Sequence, residues 1–282
     1  MGRITRRHGV LRVAPGEAIR RSDTLAVEEP LEIRLNGESF LVTMRTPGSD
    51  VDLARGLLYS ERIINDRSDI VLARYCAGAS PDGVNSYNVL DVTLAPQIPA
   101  SAAARRNVMT TSACGICGTT SIDQVLRGSP YPPDPELQVA AELVLSAPIR
   151  LRQHQRAFDQ TGGLHAAGLL GLNSEMVCVR EDVGRHNAVD KVIGWAIEQQ
   201  LLPLRKMILA VSGRSSFELT QKAVLAGIPV LAAVSAPSSL AVELAEEAGL
   251  TLVGFVRGKT MNIYTHPDRM IRSTNGQIRL QT

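Results

Sequence analysis

The chain has 282 residues, enough for one or two domains and for a large buried core. Apolar residues make up 44% of it and charged residues 21%, which excludes a disordered, collagen-like or coiled-coil chain. The 30 lysines and arginines nearly balance the 28 aspartates and glutamates, so charge gives no reason to expect a nucleic-acid partner, and four cysteines are too few for a disulfide scaffold.

The N-terminus is basic, but no apolar stretch of signal-peptide length follows it, so we expect no signal peptide. The longest apolar runs, such as residues 228–234, are far shorter than the roughly 20 residues that span a bilayer. We therefore expect a cytoplasmic protein with reduced thiols and no membrane partner. Cys76 and Cys178 lie in strand-like apolar runs and are interpreted as small buried residues.

The sequence of residues 1–107 predicts a smaller, β-rich N-terminal subdomain. Asn36 and Gly37 separate two apolar segments, residues 31–35 and 38–44, and this pair strongly favours a tight hairpin. The spacing of leucines then predicts a helix over residues 50–64. A strand is predicted over residues 87–94, and the alanine- and proline-rich residues 95–106 are interpreted as a linker.

The sequence of residues 108–282 predicts an α/β domain. Apolar runs typical of buried strands alternate with amphipathic helical segments, which favours a mainly parallel sheet covered on both faces. The strands are predicted over residues 176–180, 206–212, 228–235 and 251–257, and the helices over residues 187–200, 217–226 and 238–248.

A CxxC motif, formed by Cys114 and Cys117, precedes this alternation. Glycines follow each cysteine, and Ser121 and Gln124 have the spacing of a capping box, so a helix N-terminus would face the sulfurs and lower a thiol pKa to about 3.5–7.5. Such a thiolate can attack, carry a persulfide or bind a metal. His165 is a possible third zinc ligand, but the chain has no second CxxC motif.

Three loops next to predicted strand ends could bind a ligand. Residues 180–191 carry charges of both signs, which suit either a polar ligand or helix capping. Arg214 lies in a serine-rich turn before a helix, where phosphate binding and plain capping are both open. In residues 255–260, Phe255 could stack on a base while Arg257 and Lys259 bind phosphate, or the segment is a solvated basic turn.

Several motifs occur in the order found in one family, and residues 181–191 are the most specific of them. The remaining motifs are residues 46–48, 60–64, 114–118, 161–166, 211–216 and 264–267. Together they resemble the FdhD family of formate dehydrogenase accessory sulfurtransferases over about residues 20–270. This resemblance implies a cytidine-deaminase-like α/β core. Ala167 stands where a zinc nucleobase deaminase would need its acid–base glutamate, which agrees with such a core that has lost deamination.

The resemblance implies a sulfur carrier that takes persulfide sulfur from a cysteine desulfurase. It would pass the sulfur to the molybdenum cofactor, bis-molybdopterin guanine dinucleotide, which formate dehydrogenase needs for activity. Cys114 would be the persulfide carrier and Cys117 its second cysteine. We expect a homodimer without a permanent metal. The cofactor, bound as substrate, would contact Phe255, Val256, Arg257, Gly258, Lys259 and Thr260, with Arg214 as a further phosphate partner.

Other functions remain open at this point. The same CxxC motif could serve a thiol–disulfide oxidoreductase, although a thioredoxin-like protein is about a third of this length and carries the motif after an early strand. A non-catalytic carrier of the molybdenum cofactor would need residues 255–260 and tolerate the loss of both thiols. A zinc or iron–sulfur protein would contain metal when purified.

Overall fold

The computed structural model describes residues 4–76, 87–99, 131–272 and 276–277. Cys114, Cys117, the predicted capping box and the predicted subdomain boundary at residue 107 lie outside the described residues. The division into two domains therefore stays a prediction.

The described chain begins with two hairpins. Strands β1 (Thr5–Ala14) and β2 (Glu17–Ala26) pair antiparallel along their whole length as a separate two-stranded sheet, which the sequence analysis did not predict. Strands β3 (Glu29–Leu35) and β4 (Glu38–Arg45) form the predicted hairpin. Asn36 and Gly37 at its turn have φ angles of 52° and 87°, the positive values that this residue pair tolerates.

A four-stranded sheet has the order β4-β3-β6-β5, with β5 at Ile70–Tyr75 and β6 at Val89–Leu94. Strands β3 and β6 are parallel, and the other neighbours are antiparallel. Helix α1 covers Asp50–Ser60, four residues fewer than the 50–64 predicted. Arg62 has a left-handed φ of 61°, which a continuing helix does not allow.

The central sheet has six strands in the order β13-β12-β11-β10-β8-β9. Only the neighbours among β10, β11 and β12 are parallel, so the expectation of a mainly parallel sheet was wrong. Short turns join β8 to β9 and β12 to β13, and such turns connect only antiparallel neighbours. The strands are β8 (His165–Gly171), β9 (Met176–Asp182), β10 (Met207–Val211), β11 (Val230–Ala233), β12 (Thr251–Arg257) and β13 (Thr260–Ile263).

In the described part of the chain, five further helices pack around this sheet. They are α2 (Ala141–Gln153), α3 (Arg156–Thr161), α4 (Arg185–Glu198), α5 (Phe217–Leu225) and α6 (Ser239–Glu247). The last three lie within two residues of their predicted bounds. A small fourth sheet has the order β15-β14-β7, made of Gly276–Gln277, Met270–Arg272 and Val139–Ala140. None of the helices in the described part of the chain is long and apolar enough to cross a membrane.

Two apolar cores lie on opposite faces of the central sheet. Alternate residues of β10 point to them: Leu209 belongs to the core that holds α4 and the four-stranded sheet, and Ile208 to the core under α2. Leu31 of β3 and Ile193 of α4 belong to the same buried cluster. The described residues thus form a mixed α/β fold in which β10 and β11 are covered on both faces.

Candidate functional site

Three loops meet at the carboxyl edge of the parallel strands. They follow β10 (residues 212–216), β11 (residues 234–238) and the bulged end of β12. The N–H of Ser235 donates to the carbonyl of Gly213 at 3.3 Å, and the N–H of Phe255 donates to the carbonyl of Ser235 at 3.2 Å. Ligands of open α/β sheets bind at such an edge. The fold therefore brings the predicted residues Arg214 and 255–260 to one place.

The predicted segment 255–260 is a bulged turn rather than a regular strand end. The pairing of β12 with β13 shifts register between Gly254 and Arg257, and both Phe255 and Gly258 have left-handed backbones, with φ of 51° and 57°. A left-handed phenylalanine is strained, and such strain is concentrated at functional sites. Phe255 is 39% exposed, and the guanidinium of Arg257 lies 6.0 Å from the centroid of its ring.

The remaining residues of this segment divide into an anchor and an exposed turn. Val256 is 1% exposed and packs into the core under α2. The Nε of Arg257 donates to the carbonyl of Val234 at 3.2 Å, which ties the turn to the neighbouring loop. Lys259 and Thr260 are exposed, and the Thr260 hydroxyl donates to the carbonyl of Arg257 at 3.3 Å. The anchored backbone presents the Phe255 ring and the cations to solvent.

A cavity of about 880 Å³ opens beside this edge. One wall is the apolar face of α2, with Leu145, Pro148 and Ile149, and another is Phe158 of α3. The guanidinium of Arg152 stacks 4.8 Å from the Phe158 ring centroid. Residues at the sheet edge, some in strands and some in loops, complete the cavity wall: His165, Ser212, Val234, Val256, Arg257 and Gly258. This size and mostly apolar lining are typical of a site for a large organic ligand.

Positive charge accumulates at the same edge. Burial lowers the pKa of Arg185, and the nearby Arg214 lowers it further. Burial, together with the charges of Arg185 and His186, lowers the pKa of His165. The buried Nε of Arg185 has no hydrogen-bond partner among the described residues, and Arg214 is exposed. A bound anion would relieve the mutual repulsion of these groups.

His186 and Glu218 form the main acid–base pair of this cluster. The Nε2 of His186 lies 2.5 Å from a Glu218 carboxylate oxygen and 3.3 Å from the hydroxyl of Ser216. The hydrogen bond from His186 holds the pKa of Glu218 below its usual value. The Ser216 side chain makes no capping bond to α5, so the positive N-terminus of that helix adds to the cationic edge.

Much of the charged block 180–191 is structural. The Asp182 carboxylate is fully buried, and it lies 2.6 Å from Nζ of Lys191 and accepts hydrogen bonds from the backbone N–H of Thr46 and Gly184. Nζ of Lys191 also donates to the Thr46 carbonyl at 2.8 Å. The Glu181 carboxylate accepts two N–H donors at the start of α3. Glu181 thus caps α3 and not α4, the helix that follows the charged block, where no side-chain capping bond is made. Arg185 and His186 face the cluster.

Sequence reasoning missed most of the cavity wall. Residues 141–164 were not predicted to contribute, and Arg185 was not separated from its charged neighbours. In the described residues no group of three or more His, Cys, Asp or Glu side chains is placed to hold a metal ion. Cys178 is buried as predicted, and its burial raises its pKa to about 11. Cys76 is only partly buried.

The chain is similar to known proteins along nearly its whole length. The model of the FdhD/NarQ family matches residues 26–271. A "Sulfur carrier protein FdhD" from Nocardia farcinica is 57% identical, over 95% of this chain and 96% of that protein. The protein of the same name from Streptomyces coelicolor is 56% identical over 98% and 100% of the two chains, and that from Saccharolobus solfataricus is 41% identical over 96% and 100%.

A solved structure has the same fold. It is the crystal structure of a protein from Desulfotalea psychrophila, provisionally described as a formate dehydrogenase accessory protein. It superposes with a TM-score of 0.75, covers 95% of this chain and 100% of its own, and is 22% identical in sequence. The family match and the relatives of more than 40% identity lead to one conclusion: the chain belongs to the FdhD/NarQ family.

Proposed function

We propose that this protein is a sulfur carrier that sulfurates the molybdenum cofactor of a formate dehydrogenase. The observation that carries the proposal is the likeness, over 95% or more of the chain, to proteins named sulfur carrier protein FdhD. The sequence motifs and the cationic, apolar-walled cavity are consistent with it.

Sulfur would enter on Cys114. Its thiolate attacks the outer sulfur of a persulfide on the donor, which is a cysteine desulfurase. The S–S bond of the donor breaks as a new S–S bond forms on Cys114, and the donor cysteine leaves as a thiolate. For release, the Cys117 thiolate attacks the inner sulfur of the Cys114 persulfide. This step frees the outer sulfur as sulfide and leaves a Cys114–Cys117 disulfide, so the two thiols supply the electrons.

The cofactor would bind as substrate at the carboxyl edge. Its guanine ends suit the exposed Phe255 ring, since bases stack on aromatic side chains. Its phosphates suit the cations of Arg214, Arg257 and Lys259, and the buried Nε of the partly buried Arg185 adds a donor that lacks a partner in the described residues. The apolar cavity walls leave room for the pterin portions. We expect the protein to work in the cytoplasm as a homodimer.

The carrier role is tested by formate dehydrogenase maturation. Cells that lack the protein are complemented with the wild type, with Cys114→Ala or with Cys117→Ala. We expect Cys114→Ala to accumulate as folded protein and to leave the dehydrogenase inactive. Activation of the dehydrogenase by Cys114→Ala at the wild-type level would contradict the carrier role and favour a cofactor carrier that needs no thiol.

The nucleotide site is tested by binding of guanosine diphosphate, which has the base and phosphates of one cofactor end. Phe255→Asn keeps a residue type that tolerates the left-handed backbone but removes the ring, so we expect affinity to fall about tenfold or more. Phe255→Tyr keeps the ring and serves as the matched control. Equal affinities for the wild type and Phe255→Asn in calorimetry would show that the ring does not stack on the base.

A further inference from the structure

The β1–β2 hairpin is an arm that extends from the body of the protein. Its two strands pair only with each other within the described residues, and its contacts to the body are made largely by β2 with helix α3. Almost every side chain between residues 6 and 22 is exposed. A two-stranded hairpin without a hydrophobic partner is marginally stable in water, and its free edges invite pairing. The arm therefore has the properties of a surface that a partner covers.

The side chains of the arm combine arginine with aliphatic residues. Leu11 is 61% exposed, Val13 is 71% exposed and Ile19 is 50% exposed. Cross-strand pairing puts Leu11 opposite Arg20 and Arg12 opposite Ile19. Each face of the hairpin therefore carries both arginine and aliphatic side chains. Five arginines oppose two acidic residues, and the strands contain no lysine: the arginines are Arg6, Arg7, Arg12, Arg20 and Arg21.

This composition indicates an acidic protein surface as the partner. Protein interfaces are enriched in arginine and depleted of lysine, and they have an apolar centre. A polynucleotide surface would leave Leu11, Val13 and Ile19 against phosphates, where they gain little. Charge complementarity with the five arginines requires net negative charge on the partner.

The base of the arm lies at the rim of the cavity. Gly163 lines the cavity, and a methyl group at Gly163 would stand 3.8 Å from Cβ of Ala26, the last residue of β2. Helix α3, which packs against the arm, contributes Phe158 and Asp159 to the cavity lining. A protein held by the arm would thus face the cavity mouth. The family match begins at residue 26, so the arm precedes the segment that the family model describes.

We propose that the β1–β2 arm docks the protein that receives the contents of the cavity, through an acidic, apolar-centred surface of that protein. The identity of the receiver as the dehydrogenase rests on the proposed function. Docking by the arm would hold the receiver at the cavity mouth while the ligand is handed over. Its attraction is largely electrostatic, so it weakens as salt concentration rises.

The test is the binding of the full-length protein to purified, cofactor-free formate dehydrogenase from the same organism, measured by biolayer interferometry at low and high salt. The double variant Arg20→Glu/Arg21→Glu reverses two arm charges. The matched control, Arg205→Glu/Lys206→Glu, reverses two adjacent exposed charges outside the arm. We expect the arm variant to lose about tenfold or more in affinity and the control less than about twofold. Leu11→Ser/Val13→Ser should also weaken binding, at both salt concentrations.

Two independent readouts separate this proposal from the proposed function. Sulfur loading of the arm variants, followed by intact mass, should equal that of the wild type. Wild-type affinity for the dehydrogenase in both arm variants would overturn the arm proposal while leaving sulfur carriage intact. The arm proposal would also be overturned if Arg20→Glu/Arg21→Glu lost binding to a duplex RNA but bound the dehydrogenase as tightly as the wild type does. A wild type that takes up no sulfur would overturn the proposed function instead.

Discussion

A fully buried ion pair lies beside the site rather than in it. The side chains of Asp182 and Lys191 are 0% and 2% exposed, and their ion pair joins the end of β9 and helix α4 to the backbone of Thr46. A buried pair of this kind adds little stability compared with apolar residues, but removing one partner leaves a charge without compensation. The pair therefore fixes how the loop before α4 is placed, and with it Arg185 and His186.

Asp182→Asn keeps the shape of the side chain and removes its charge. We expect the free energy of unfolding to fall by about 3–5 kcal/mol, because Lys191 stays buried without its counter-ion. Urea unfolding followed by circular dichroism measures this. Asp159→Asn, which breaks an exposed ion pair with Arg152, is the control and should cost less than about 1 kcal/mol. Equal losses in the two variants would contradict this role of Asp182.

His165 gives the stability of the fold a pH dependence with a defined sign. Its pKa is lowered in the folded protein by burial and by the nearby cations, so the unfolded chain binds its proton more readily. The contribution of His165 to the free energy of unfolding is therefore lost as pH falls below the ordinary histidine pKa of about 6.5. We expect the unfolding free energy of the wild type to fall more steeply between about pH 7 and about pH 5 than that of His165→Gln. His8→Gln, on the exposed arm, controls for the loss of one imidazole, and parallel curves for the wild type and His165→Gln would refute the prediction.

At the scale of elements, two glycines set how closely helices α1 and α4 approach. A Cβ atom at Gly56 would lie 1.9 Å from the Asp190 carbonyl oxygen, and one at Gly194 would lie 1.8 Å from that of Asp52. The backbones of the two helices are therefore in direct contact. This contact joins the N-terminal region to the helix that follows the site loop.

Gly56→Ala should force these helices apart. Overpacking a tight contact costs about 1–3 kcal/mol, and here the clash is with backbone that has no rotamer to change, so we expect a loss at the upper end or beyond. Gly9→Ala is the control, since a Cβ there has nothing within 4 Å. Thermal unfolding followed by calorimetry measures both, and a Gly56→Ala protein as stable as Gly9→Ala would rule out the close contact.

Elements that depend on local signals could be predicted from the sequence, and those that depend on tertiary contacts could not. The Asn36–Gly37 hairpin and helices α4 to α6 were predicted because turn chemistry and helical periodicity are local. Helix α2 was missed; it contains Pro148, which favours a helix break. The arm was missed because neighbouring arginines interrupt the alternation that marks a strand.

The same distinction applies to the site. Arg214 and residues 255–260 were each predicted as ligand-binding because they follow strands that alternate with helices, and the carboxyl ends of such strands form the binding edge. The cavity wall could not be predicted in this way, since it needs the packing of α2 and α3 over the sheet. The mainly parallel sheet was a wrong prediction because β8 was not identified, and its antiparallel pairing with both β9 and β10 makes the sheet mixed.

For the whole molecule, the family membership, the cationic edge, the cavity and the arm support one arrangement of functions. In the arrangement that we propose, the arm would hold a receiver, the cavity and edge would hold a polyanionic cofactor, and Cys114 would bring the sulfur. Cys114 and Cys117 lie outside the described residues. Their proposed role in sulfur transfer therefore rests on the CxxC motif and on the similarity of the chain to its relatives.

Sulfur transfer to Cys114 is tested most directly by intact-mass spectrometry after the protein is incubated with a cysteine desulfurase and cysteine. We expect the wild type to gain the mass of one or more sulfur atoms and to lose it on treatment with a reductant. We expect Cys114→Ala to show no gain in mass. Cys117→Ala serves as the matched control for the loss of a neighbouring thiol. No gain in the wild type, or an equal gain in Cys114→Ala, would contradict the assignment of Cys114 as the sulfur carrier.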